Sequence, residues 1–290
     1  MRLGDSFRGL MQRGAWPARR GGATLLWPME APVNLTLFAH VIARSEDEID
    51  LAEAALLIAE AEHPGLEVPR YLAMLDRLGA DVRRALDQPL DHTEATVGSA
   101  PVEHVLQVIY GQHGFRGNST DYYDPRNSYL NQVLDRHLGI PITLAIVLLE
   151  VCRRAGITAH GVSFPGHFLV RSPLPALPSS GRGALSNRAL LIDPFEGRLL
   201  GREELKALAA RATGSNQEPD PRLLQPASKR QILVRMLSNL RAIYSKRQDP
   251  ERLREVLERI QVLSPSEELR KELEQIGGRQ PWPQRAHLLN

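Results

Sequence analysis

The segment Gly139-Ile-Pro-Ile-Thr-Leu-Ala-Ile-Val-Leu-Leu-Glu-Val-Cys-Arg-Arg-Ala-Gly-Ile157 constrains the fold more than any other part of the chain. Proline is favoured in the first turn of a helix, where its missing N–H is no loss. Gly156 suits the left-handed residue that closes one. Between them, Ile142, Leu144, Ala145, Ile146, Val147, Leu148 and Leu149 leave almost no polar face. A helix apolar nearly all round has to be covered on most sides. A central helix wrapped by other elements is therefore expected.

Helical patterning surrounds this segment. Residues 34–62 read as two helices, the second running from Ile49 to Glu62, with Ser45 and Glu48 as its capping box and His63-Pro64-Gly65 as its stop. Leu72, Leu75, Leu78 and Val82 mark a helix from Pro69 to Leu86. Residues 87–100 read as a loop, Pro101–His113 as a helix, Gly114–Arg126 as irregular and Asn127–His137 as a short helix.

After Gly156 the period changes to that of strands, over Ala159–Phe164, His167–Arg171 and Ala189–Asp193, with 172–188 as a Pro/Ser/Gly-rich loop. A helix over Arg202–Ala212 and a polar, Pro-rich linker over 213–227 follow. Near the C-terminus, Ile232, Met236, Leu240 and Ile243 form one apolar stripe, and Leu253, Val256, Leu257 and Ile260 another. Gln248-Asp-Pro250 turns between them, and Ser264 opens a third helix. This hairpin resembles one tetratricopeptide-type unit. A single unit cannot stand as a solenoid, so it is expected to pack on the main domain.

The expected class is α+β: a helical N-terminal part, a core with a small antiparallel sheet on a buried helix, and a C-terminal α-hairpin. Residues 29–212 form the main domain, 213–227 the linker, 228–276 the C-terminal helices and 277–290 a tail. Residues 1–28 carry five Arg against one acid. They read as an unstructured tail or as translation upstream of a start at Met29, with an organelle-type presequence as the alternative.

Charge and cysteine content narrow the function. A formal charge of +2 gives no bulk drive toward nucleic acid or an anionic membrane. No apolar run reaches the roughly 20 residues of a membrane span. A lone cysteine, Cys152, permits neither an internal disulfide nor a cysteine-based zinc site, and fits the reducing cytoplasm. The nine His show no metal-ligand spacing, and no Gly-rich phosphate loop occurs. No metal and no cofactor are expected.

A thiol nucleophile works best at a helix N-terminus, where the peptide dipole lowers its pKa and a His takes its proton. A third polar group orients that His. Papain-like cysteine enzymes are assembled in this way. Here the buried helix, His167 and Asp193 occur in that order, but Pro141 and Ile142 stand where the cysteine would be. Thr143 is the one conceivable substitute. Cys152 lies 11 residues after Pro141, roughly 16 Å down the helix, and is expected in the core. The candidate catalytic pair is His167 and Asp193. The candidate binding residues are Tyr122, Tyr123, Asp124, Arg126, Asn127, Asn131 and Thr143, together with that pair.

The segments Phe115-Arg-Gly-Asn118, Tyr122-Tyr-Asp-Pro-Arg-Asn-Ser-Tyr-Leu-Asn131, Gly139-Ile-Pro-Ile-Thr-Leu-Ala145, Gly161-Val-Ser-Phe-Pro-Gly-His-Phe-Leu-Val-Arg171 and Ile192-Asp-Pro-Phe-Glu-Gly197 resemble bacterial SirB-type proteins. The resemblance spans about residues 34–275 and implies a transglutaminase-like, papain-type core followed by tetratricopeptide-like helices. In active relatives of the wider superfamily, residues matching His167 and Asp193 serve beside a cysteine, whereas the SirB-type pattern itself departs from them at Pro141. The resulting expectation is a non-enzymatic regulatory protein that binds a protein or peptide partner. The alternative is a hydrolase or amidase-type enzyme in which His167 and Asp193 activate water.

Overall fold

Helix α6 (Pro141–Ala155) is the axis of the molecule, and its ends follow from local chemistry. Ile140 is extended, with φ −103° and ψ 167°, Pro141 takes the first helical position, and Gly156 closes the helix at φ 76°. Every residue from Pro141 to Cys152 is buried, including Glu150. A buried carboxylate requires pairing, and Glu150 has Arg153 at 2.9 Å and Arg154 beside it. The computed structural model describes residues 33–88, 98–174, 189–214 and 219–277.

The wrapping begins with α1 (Val33–Ala43), α2 (Leu51–Glu60) and α3 (Val68–Leu86). Ser45 and Glu48 do bond, through the hydroxyl at 2.6 Å, but they close only a single turn. Asp50 caps α2 instead, accepting from the Glu53 amide at 2.9 Å. An Asp directly ahead of the apolar run competes better for the orphan amides than a box five residues upstream. Helix α3 lies close against α6 because Gly79 has no side chain: a Cβ there would meet Arg154 Cβ at 2.5 Å.

The helix expected over Pro101–His113 divides. Residues Ala100–Leu106 are α-helical (α4), and Gln107–Gln112 widen into a π-turn, with the His113 amide reaching back to the Val108 carbonyl at 2.9 Å. The helix expected from Asn127 likewise splits into a 3-10 turn, Pro125–Ser128, and α5, Leu130–Arg136. Two short strands, β1 (Arg116–Gly117) and β2 (Leu138–Gly139), pair in parallel across this region.

Strands β3 (His160–Val162), β4 (Leu169–Pro173), β5 (Ala189–Asp193) and β6 (Arg198–Leu200) form an antiparallel meander in that order. Strand β6 was not anticipated from sequence; three residues are too few to show a period. Both faces of the sheet are covered. Val170 and Ile192 join the main core with α6, whereas Val162 and Leu169 join a smaller cluster with Leu205 and Ala209 of α7 (Arg202–Thr213). The segments 1–28 and 277–290 and the loop 172–188 lie wholly or mostly outside the described residues.

The described part of the 213–227 segment is packed. It forms a 3-10 turn, Pro221–Leu224, whose Leu223 and Leu224 cover the smaller cluster, and the Ala227 amide donates to the Gly161 carbonyl at 2.8 Å. Helices α8 (Lys229–Arg247), α9 (Pro250–Leu263) and α10 (Glu267–Gly277) follow. Leu233, Met236, Leu237, Leu240 and Leu257 are fully buried in the same core cluster as α6. Charged contacts add to this seam: Arg230 with Glu46 at 2.8 Å, and Arg252 with Glu62 through two nitrogens at 2.6 and 2.8 Å.

Candidate functional site

Three segments meet beside α6. Gly117 of β1 donates its amide to the Phe195 carbonyl at 3.1 Å, and the next residue, Asn118, donates to the Gly139 carbonyl at 2.9 Å. One extended stretch therefore ties the turn after β5 to the residues just ahead of Pro141. The approach is close: a Cβ on Gly117 would meet the Phe195 ring at 2.5 Å.

His167 and Asp193 are brought together. His167 sits in the turn before β4, two residues outside the strand it was expected to begin, where Gly166 at φ +72° bends the chain. Its Nε2 lies 3.0 Å from Asp193 Oδ1. A carboxylate only accepts, so the Nε2 proton is directed at Asp193 and Nδ1 lies on the other side of the ring. Among the described residues nothing bonds Nδ1. The His167 side chain is 18% exposed and that of Asp193 6%, so the imidazole can be reached and the carboxylate stands behind it.

Asp193 is itself held. Its Oδ1 also accepts the amides of Phe195 at 2.8 Å and Glu196 at 3.2 Å. Burial pushes this carboxyl toward the neutral form, but the His167 contact and the two amides outweigh it and hold its pKa below the usual 3.8. The folded state then binds fewer protons than the unfolded chain in this range. The stabilisation is fully present above the ordinary aspartate pKa and is lost as pH falls through the lowered one. The stability gap between wild type and Asp193→Asn is accordingly expected to narrow below about pH 4 in acid unfolding followed by circular dichroism.

Sequence reasoning missed Tyr110, which braces the site from behind. Its hydroxyl donates to the Pro194 carbonyl at 2.6 Å, and its ring fills the space where a Gly197 side chain would lie. Burial, then the nearby Asp193 and Cys152 groups, raise its pKa well above the tyrosine range, so it remains a neutral donor. The π-turn that aims it left no readable signal in the sequence. Cys152 is 2% exposed, and burial pushes its thiol up to about 12; it is a core residue.

The loop residues separate into a rim and a scaffold. Tyr122 and Tyr123 are 40% and 52% exposed and meet edge-on with centroids 5.3 Å apart. Tyr122 lies 6.0 Å from the Phe195 ring, and Lys246 of α8 sits 5.2 Å from the Tyr123 ring centre. Arg126 is exposed and binds Asp124 at 2.7 Å. Asp124, Asn127, Asn131 and Thr143 are buried. Asn127 donates to the carbonyl of Asp121 at 2.7 Å and accepts from Asn118 at 3.0 Å, which shapes the loop from inside.

Thr143 is fully buried, donates its hydroxyl to the Asn127 carbonyl at 2.6 Å and accepts the Ile140 amide at 3.2 Å. Its oxygen is occupied by structure. Thr143→Val is expected to lower stability by about 1–3 kcal/mol, read by urea denaturation. A Thr143→Val protein as stable as wild type would contradict this assignment.

A sequence profile described as the transglutaminase-like superfamily matches residues 69–238, the span that runs from α3 into the middle of α8 and holds both His167 and Asp193. This chain belongs to the transglutaminase-like superfamily. Within it, the chain is 37% identical over 238 residues to a UPF0162 protein of Xylella fastidiosa, covering 80% of this chain and 78% of that one. It is 32% identical over 200 residues to a UPF0162 protein of Pseudomonas aeruginosa, covering 69% and 67%. A shorter stretch of 78 residues is 40% identical to human F-box only protein 21, covering 27% of this chain and 12% of that one. The transglutaminase-like chain has Pro141, Ile142 and a fully bonded Thr143 in the first turn of its central helix. Among the described residues, no cluster of His, Cys, Asp or Glu has the geometry of a metal site, and no helix is long and apolar enough to cross a membrane.

Proposed function

We propose that this chain is a non-catalytic, SirB-type regulatory protein of the cytoplasm that recognises a peptide or protein segment at the mouth of its transglutaminase-like cleft. Two observations support the reading: His167 and Asp193 form an oriented, reachable pair, and the central helix starts without a side chain able to attack. Exposed Tyr122 and Tyr123 supply the kind of amphipathic contact area that interfaces favour. Lys246 brings the tetratricopeptide-like hairpin α8–α9 to the same rim. His167 offers Nδ1 as a hydrogen-bond acceptor, and Asp193 fixes its orientation.

A second reading is kept by the open Nδ1. A neutral His with its other nitrogen on a carboxylate is the arrangement of a general base, and water could be its substrate on an amide or ester. Crosslinking capture from native lysate with wild type, His167→Ala and Asp193→Ala tests the first reading. A partner captured by wild type and lost from both folded variants supports it, and equal capture by all three sinks it. Turnover of amide or ester substrates that disappears in His167→Ala would favour the second.

A further inference from the structure

Helix α8 carries six Lys and Arg and no Asp or Glu. Much of that charge is met inside the fold. Arg230 binds Glu46, Arg241 binds Glu272, and Lys229 donates to the carbonyls of Asp47 and Ile49. Lys246 and Arg247, at the C-terminal end, are exposed and meet no carboxylate among the described residues. Cations at this end of a helix often serve the terminus itself. The terminal carbonyls of α8 are already met, because the amides of Gln248 and Asp249 donate to the carbonyls of Ser245 and Tyr244. The Lys246 ammonium lies instead over the Tyr123 ring, 5.2 Å from its centre.

The neighbouring acids leave that cation unanswered. Asp124 is buried and shared by two guanidiniums, Arg126 at 2.7 Å and Arg136 at 3.6 Å, so it offers no free charge to the rim. Asp121 and Glu196 are exposed and stand next in the chain to Tyr122 and Phe195, where their charges turn a further carboxylate away. The rim therefore has an apolar end, where Tyr122 meets Phe195 with ring centres 6.0 Å apart, and a cationic end at Tyr123 and Lys246. The apolar end continues to the His–Asp pair, since the Phe195 amide and His167 Nε2 meet the same oxygen of Asp193. We infer that the partner segment is acidic: a peptide that sets an Asp or Glu carboxylate on Lys246 beside Tyr123, and an adjacent apolar side chain against Tyr122 and Phe195. This rests on the peptide-recognition reading above and specifies its partner. A basic segment would bring a second cation to Lys246, and like charges placed face to face repel. A neutral segment would cover Lys246 and leave its charge unpaired.

Selection of short random peptides displayed on phage, against the immobilised full chain, tests this. The expected result on wild type is enrichment of Asp and Glu next to apolar residues. A synthetic peptide from the enriched set is expected to lose about tenfold in affinity with Lys246→Glu, measured by fluorescence anisotropy. Its binding to wild type is also expected to weaken as salt rises. Lys246→Met, which keeps the apolar stem, is read the same way should Lys246→Glu fail to fold. Enrichment without acidic residues overturns the acidic partner, and so does equal affinity for wild type and a folded Lys246 variant. In either case, binding that is still lost from His167→Ala leaves the cleft reading standing. If wild type retains no peptide at all, both fall.

Discussion

A chain ended after residue 227 is expected to lose its cooperative folded state. The cut removes Leu233, Met236, Leu237, Leu240 and Leu257, all fully buried against the core that surrounds α6. Emptying one such Leu or Met site costs about 2–5 kcal/mol. Five of them together match or exceed the whole stability of an ordinary domain, about 5–15 kcal/mol. The cut also strips the partners of Glu46 and Glu62. Thermal unfolding by near-ultraviolet circular dichroism is the measurement. A truncated chain that melts sharply at the full-length temperature would mean that the hairpin is an independent unit.

Gly197→Ala is expected to destabilise the protein by about 2–5 kcal/mol and to disturb the His–Asp pair. Two costs coincide at this position. The backbone is left-handed, at φ +68°, and a Cβ would lie 2.6 Å from Tyr110 Cγ. The ring cannot retreat without giving up its hydrogen bond to Pro194. The Gly197 amide also donates to the Asp193 carbonyl at 2.8 Å, so strain here reaches the carboxylate that orients His167. Urea denaturation measures the first effect. The His167 imidazole resonances in an NMR spectrum measure the second, and wild-type values for both would show that the turn is not under this constraint.

The same turn shows where sequence reasoning stopped. Ile192-Asp-Pro-Phe-Glu-Gly197 is visible as a strand end followed by a turn, and Asp193 stands out by its place after an apolar run. Nothing local reveals that Tyr110, 84 residues earlier, supports that turn. The tyrosine is aimed by a π-turn, which has no distinctive residue pattern, and its partner is a backbone carbonyl, which has no residue identity at all. The Tyr122–Asn131 segment presents the converse case. Its polarity suggested a row of binding groups, yet half of that polarity turned inward. Asn127 is wholly buried because a non-repetitive loop must satisfy its own carbonyls and amides with side chains.

By itself, the sequence determined the central helix, its start at Pro141 and its end at Gly156, because an all-round apolar stretch with those terminators has one favourable state in water. It also determined the absence of a thiol at the helix start and the helical hairpin near the C-terminus, since periodicity and residue identity are local. Only the tertiary structure decided that His167 Nε2 meets Asp193, that Thr143 is bound to Asn127, and that the hairpin shares the main core. Those depend on contacts between residues far apart in the chain, whose energies exist only after the helices and the sheet have packed.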